Sequence, residues 1–259
     1  METILLPCEY IHKIILGFII MRITIICCFL LLGGSLPLSA QILSVQDFSL
    51  RGDAYITDVD CIRLTEAYDY GSGSMWYRYP LSLAEPFTLS LNVMIGCEDT
   101  LGADGIVFVM TGRANQLGYM GEGMGFAGLV PSVGIEVDTW RNYHLNDPAE
   151  DHVAIMFNGR VGHYSDFAIP SPISNIEDCS IHILSVVWNP EEKNLSVRID
   201  NETITSTEVD LINSVFLGQD NVFWGVTAAT GRYNNIHEVC FPRLTRLDAI
   251  PPTDSYTGD

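Results

Sequence analysis

Basic side chains are scarce in this sequence. Lys and Arg together number 13 against 32 Asp and Glu, a formal net charge of −19 over 259 residues. A chain so negative repels phosphate backbones and anionic headgroups, which argues against nucleic acid or an acidic membrane as partner. Neutral and cationic partners remain, and acidic side chains are the usual ligands of hard divalent ions. Helical periodicity is also missing, because beyond residue 40 no stretch keeps a sustained 3.6-residue apolar spacing. That excludes a helical bundle. There is no internal repeat, which excludes a repeat architecture. Charged residues make up only 17% and hydrophobic ones 47%, enough for one sizeable core and hence one domain.

Long apolar runs are confined to the front. Met21-Arg22 precedes Ile23 to Leu32, followed by Gly33-Gly34-Ser35 and the small-residue end Leu38-Ser39-Ala40. This is the layout of a signal peptide, with Met1 to Ile20 an upstream extension and cleavage leaving Gln41 first. The competing reading is an uncleaved anchor, since Ile14 to Leu32 nearly spans a bilayer, but the small residues near Ala40 favour cleavage and no membrane insertion afterwards. Removing residues 1–40 takes two basic and two acidic side chains, so the charge stays at −19. Of seven cysteines, Cys61, Cys97, Cys179 and Cys240 remain, an even set that allows two disulfides in three connectivities in an exported chain.

From Gln41 to about Asp248 the sequence reads as short strands between Gly, Pro, Asn and Asp. In Pro86 to Ile95 the apolar residues Phe87, Leu89, Leu91, Val93 and Ile95 alternate with other side chains, the period of a half-buried strand. Similar runs occur at Gly105 to Met110, Val133 to Thr139, Val153 to Phe157, Ile181 to Trp188, Leu195 to Ile199 and Val222 to Ala228. The implied class is an all-β sandwich or barrel. Residues 249–259 are polar and read as a tail or linker.

The chemistry concentrates in Glu136-Val137-Asp138-Thr139-Trp140-Arg141-Asn142, continuing through Asp147-Pro148 to His152. On a strand Glu136 and Asp138 share a face while Ile135 and Val137 point into the core. Two close carboxylates that are neither protonated nor salt-bridged are most cheaply stabilised by a cation, and no Lys lies nearby. Asn142, Asp147 and His152 then add oxygen and nitrogen donors, a set suited to calcium and to a first-row ion such as manganese.

This segment resembles that of the legume-type (L-type) lectins, which carry Glu-x-Asp-Thr-aromatic-x-Asn, then Asp-Pro, then a His entering a strand. The resemblance implies a concanavalin-like jelly-roll β-sandwich of antiparallel sheets over residues 41–248. It implies Mn2+ or another first-row divalent ion on Glu136, Asp138, Asp147 and His152. It also implies Ca2+ on Asp138, the main-chain oxygen of Trp140, Asn142 and Asp147. Three further segments are similar to the family's sugar-binding loops. Gly102-Ala103-Asp104-Gly105 resembles the strand whose Ala–Asp peptide is cis and whose Asp accepts hydrogen bonds from sugar hydroxyls. Gly121 to Leu129 resembles the glycine-rich loop, with Gly125 in the place of the amide that contacts the sugar. Phe223 to Gly231 resembles the strand before the specificity loop, here Arg232-Tyr233-Asn234-Asn235. Asn142 and the Trp140 indole would complete the saccharide site.

The expected function is therefore a secreted or cell-surface lectin that binds glycans or glycoconjugates at a metal-organised site. A homo-oligomer would add strength by engaging several sugars at once. The segments around Cys61, Cys97 and Cys179 resemble bacterial members of the superfamily, which implies a bacterial exported protein. Two rivals stand beside this reading. A non-glycan adhesion or structural module would use the metals only to rigidify loops. A jelly-roll glycoside hydrolase would need Glu-x-Asp-x-x-Glu, and Arg141 stands where the second glutamate belongs.

Overall fold

The computed structural model describes residues 42–57, 60–164 and 168–241. The expected leader and the expected polar tail lie outside these residues. The chain divides after Ile42 into two units, and the strands all belong to the second, which begins at Leu43.

Strands follow in the order β1 (Phe48–Gly52), β2 (Tyr55–Ile56), β3 (Cys61–Thr65), β4 (Ser72–Tyr77), β5 (Leu81–Ser82), β6 (Phe87–Met94), β7 (Gly105–Thr111) and β8 (Ser132–Asp138). They continue with β9 (His152–Phe157), β10 (Ser171–Pro172), β11 (His182–Asn189), β12 (Asn194–Ile199), β13 (Glu202–Glu208), β14 (Asn221–Ala229) and β15 (His237–Cys240). Among the described residues there is no α-helix, only three 3-10 turns and one π turn at Leu211–Val215.

Two antiparallel sheets result. The first runs β1-β4-β14-β7-β8-β9-β10, with β5 beside β14, and the second runs β13-β12-β11-β6-β15-β3-β2. Alternation along each strand sends one set of side chains between the sheets. Ile106, Phe108 and Met110 of β7, Val133, Ile135 and Val137 of β8, and Val222, Trp224 and Val226 of β14 meet Leu91 and Val93 of β6 and Leu184, Val186 and Trp188 of β11. The expected all-β sandwich is what forms.

The first sheet is also covered on its other face. Gly118 to Leu129 folds back over it, and Met124, Phe126 and Leu129 pack on Trp76, Val107, Val109 and Met156. Gly134 permits this approach, because a Cβ there would lie 2.7 Å from the Phe126 ring. The segment is thus an ordered cover and not a loose loop, pinned by Gly118 N–H donating to Gly125 O and Thr227 Oγ1 donating to Met124 O.

The cysteine pairing left open by the sequence resolves as Cys61–Cys240 and Cys97–Cys179. The first joins directly opposed residues of β3 and β15. The second ties the loop before Ala103-Asp104 to the segment entering β11.

Candidate metal centre and the loops around it

Strand β8 carries the acids, as its period of two requires. Its inward residues fill the core, and Glu136 and Asp138 face the covered outer side. The register sets Asp138 between Gly105 of β7 and His152 of β9, and Glu136 between Val107 and Ala154. The chain then turns back through Tyr143–Leu145 and returns Asp147 to the same spot. Trp140 N–H donates to Asp138 Oδ1 at 2.8 Å and Asn142 N–H to Asp147 Oδ2 at 2.6 Å, so the turn is built on the acids themselves.

The donors are withdrawn from water. Glu136 is fully buried, and Asp138, Asp147 and His152 retain 2%, 6% and 1% exposure. No lysine or arginine pairs with these acids among the described residues. Asp138, Asp147 and His152 offer ligand atoms within 4.8 Å of one another, as do Glu136, His152 and His163. A third cluster, Cys61, Glu238 and Cys240, has its sulfurs closed in a disulfide. Asn142 Oδ1, Glu136 Oε2 and Asp147 Oδ1 lack hydrogen-bond partners, though buried oxygens of this kind are normally satisfied.

Burial pushes the Glu136 carboxyl up to about 7, with His163 pulling it down and Asp147 pushing it up. Asp138 is raised well above the ordinary range, by burial first and then by Glu136 and Asp147. Asp147 is raised by burial too. His152 is lowered to about 4 by burial, with His163 adding to the effect. Such a set resists ionising its acids by itself and ionises them readily around a cation, since coordination needs deprotonated carboxylates and neutral imidazole.

Asp104 adjoins this centre. The Ala103–Asp104 peptide is cis, as the resemblance implied. Asp104 O accepts hydrogen bonds from Thr139 N–H at 2.9 Å and Thr139 Oγ1 at 3.3 Å, so the residue beside Trp140 holds the Asp104 backbone. Asp104 N–H donates to Ala229 O. Asp104 is 4% exposed, its Oδ2 has no hydrogen-bond partner, and burial followed by Glu122 pushes the carboxyl up to about 7 against the pull of the Gly231 backbone.

The structure differs from expectation at Gly125. This residue is buried, and its N–H donates to Tyr119 O at 2.9 Å, so that amide is spent within the cover. A glycine that does stand at Asp104 is Gly231, with Gly121 next to it: a side chain on Gly231 would lie 3.4 Å from Asp104 Oδ2 and 3.8 Å from Gly121 Cα. Spacing within a glycine-rich segment could not settle which amide is spent internally.

Trp140 is half-buried and stacks on Tyr233 with ring centroids 4.3 Å apart. The two expected aromatic contacts therefore form one platform, with Arg232 exposed beside it in sequence. Arg141 lies over the Tyr143 ring at 4.2 Å and brings no carboxyl to the site.

Several functional neighbours were not foreseen from sequence. Glu122 reaches from the cover to within 2.9 Å of His144 Nε2 and 3.5 Å of Asn142 Nδ2. His163 enters the metal cluster from the loop after β9. Asn235, expected to read ligand, is 3% exposed and acts as a clamp. Its Nδ2 donates to Glu98 O and Glu177 Oε1, and its Oδ1 accepts from Cys97 N–H. Burial raises the Glu177 carboxyl to about 8. Nothing in the spacing of these residues signals their meeting; loops distant in sequence bring them together.

The legume lectin beta-barrel domain matches residues 40–243 of the chain. Among known proteins, the chain is similar to an L-type lectin-domain containing receptor kinase I.8 of Arabidopsis thaliana, 25% identical over 74% of this chain and 33% of that protein. It is similar to a galactose-binding lectin of Arachis hypogaea, 26% identical over 60% of each. The chain thus spans a third of the first relative's length and 60% of the second's. Among solved structures, a lectin from Bauhinia forficata in complex with GalNAc superposes with a TM-score of 0.64 at 21% identity, covering 76% of this chain and 90% of that one. With the domain match running through every strand from β1 to β15, the chain belongs to the legume (L-type) lectin family.

Proposed function

We propose that this protein is an exported carbohydrate-binding lectin whose sugar site is organised by calcium and a first-row transition ion. The observation that carries the reading is the group of buried, unpartnered oxygens on Glu136, Asn142 and Asp147, set beside an Asp104 carboxylate that has a free oxygen of its own. Glu136, Asp138, Asp147 and His152 would hold the transition ion, and Asp138, Asn142, Asp147 and the Trp140 carbonyl the calcium. Bound cations would neutralise the acids and hold their loop in one shape. From there the chain's own residues do the work. Thr139 fixes the Asp104 backbone, Asp104 Oδ2 accepts a sugar hydroxyl, and the Asn142 amide offers a donor near it. The Trp140–Tyr233 platform presents an aromatic face to the apolar side of a pyranose ring.

Galactose-type sugars are the first probes to try, because the Arachis protein is a galactose-binding lectin and the Bauhinia structure contains GalNAc. Export is supported by two disulfides, which persist in oxidising compartments. The domain is not a jelly-roll hydrolase: Arg141 replaces the second carboxyl and the family is one of lectins.

The test is a glycan array with and without chelator, repeated with Asp104→Asn. Loss of binding in both supports the reading. An adhesion module that uses another face would keep its partner after Asp104→Asn, and that result would overturn sugar recognition at this site.

A further inference from the structure

We propose that His163 is itself a ligand of the transition-metal site, giving that ion two imidazoles with the Glu136, Asp138 and Asp147 carboxylates, and that this donor set favours zinc, cobalt or nickel over manganese. This rests on the proposal that the cluster holds a divalent ion, and it concerns which residues hold it and which ion they choose.

Three observations point the same way. The first is convergence. His163 Nε2 lies 2.9 Å from Glu136 Oε1, 3.5 Å from Asp147 Oδ1 and 3.2 Å from His152 Nε2, and the residue is 5% exposed. The two rings stand at 81°, so their Nε2 atoms meet while the rings avoid stacking.

The second is the partner of the other ring nitrogen. His163 Nδ1 lies 2.9 Å from Ala168 O. A carbonyl only accepts, so Nδ1 carries a hydrogen, and with an ion bound the neutral ring would turn the lone pair of Nε2 to it, in place of the proton that Nε2 shares with the Glu136 carboxyl 2.9 Å away. An imidazole anchored through one nitrogen to a carbonyl, with the other aimed at carboxylates, is the arrangement by which proteins orient a metal-binding histidine.

The third is rigidity relative to the acids. His163 N–H donates to Leu145 O at 2.8 Å, and Asn146 Nδ2 donates to His163 O at 2.9 Å. Both partners belong to the turn that delivers Asp147, so His163 and Asp147 are positioned as a unit. A histidine that merely filled space in the core would not need its main chain, its outer nitrogen and its inner nitrogen each committed.

The consequence follows from donor chemistry. Carboxylate and water suit manganese, whereas imidazole suits the later first-row ions, whose affinities already rise from Mn2+ through Co2+ to Ni2+. Adding a second imidazole shifts the choice further in that direction.

The experiment uses the whole protein, stripped by chelator and reloaded with Zn2+, Co2+ or Mn2+ alone and in competition, beside His163→Ala. X-ray absorption at the zinc edge is expected to show two imidazoles in the unaltered protein and one in His163→Ala. The preference for Zn2+ over Mn2+ should fall by at least about tenfold in the variant while calcium binding persists. Zinc bound through one imidazole in the unaltered protein overturns the role of His163 and leaves the metal reading standing. Failure of the unaltered protein to retain any transition ion overturns both. Should His163→Ala not fold, the imidazole count in the unaltered protein decides alone.

Discussion

Single residues in this protein show how far local pattern carries. The carboxylates of β8 are legible because strand alternation alone puts Glu136 and Asp138 on one face, and the turn back to Asp147 and His152 is short. Asn235 is the opposite case. It lies 138 residues from Cys97 and 58 from Glu177, and only the closed sandwich brings these groups within hydrogen-bond range. Replacing it tests its role as clamp. Asn235→Ala takes a partner from the Cys97 N–H and the Glu98 carbonyl, which lie on exposed residues, and from the Glu177 carboxyl, which is buried. The buried loss costs about 1–3 kcal/mol and water can replace the other two bonds, so urea denaturation should show a destabilisation of roughly that size. A variant as stable as the parent would mean that water replaces the side chain and the clamp does not matter.

At the scale of elements, strands rich in apolar residues announced themselves, β7 and β8 among them although both of their faces are covered, and a strand short of such residues did not. β6 alternates openly, because its polar residues meet solvent. β4, Ser72–Tyr77, is buried along its whole length, with Met75 and Tyr77 in the inter-sheet core and Trp76 beneath the glycine-rich cover, but it opens with Ser72-Gly73-Ser74, so no apolar run marks it in the sequence. The cover itself was legible only as a run of glycines. Its structural weight sits in Phe126, fully buried on Gly134. Phe126→Ala should cost about 3–5 kcal/mol, the usual range for a deleted core aromatic. Because Glu122 of the same segment acts on Asp104 and reaches Asn142, sugar affinity should fall as well. Denaturation and glycan titration on the same variant check both. Stability lost without any change in affinity would show that the cover is packing alone.

For the whole molecule the sharpest consequence is a coupling of stability to pH that bound metal should weaken. In the metal-free protein Glu136 and Asp104 have carboxyls raised to about 7, and Glu177 to about 8. Each holds its proton in the folded state at a pH where the unfolded chain has lost it, so the folded state binds more protons and stability falls as pH rises through that window. His163 acts in the same direction, since burial lowers it but Glu136 prevails and raises it. His152, lowered to about 4, and His237, lowered to about 3, act the other way below about 6.5, where the unfolded chain takes up protons that the folded state refuses. Between about pH 6.5 and 8 only the falling trend operates. Calorimetry in chelator should therefore show the melting temperature dropping by several degrees over that interval, on the order of a few kcal/mol. With calcium and a transition ion bound, Glu136, Asp138 and Asp147 are ionised throughout and the profile should become shallower, keeping the part contributed by Asp104 and Glu177, which hold no ion. Parallel slopes with and without ions would show that the raised acids are not the ones that hold metal, and the assignment of Glu136, Asp138 and Asp147 would fall with them.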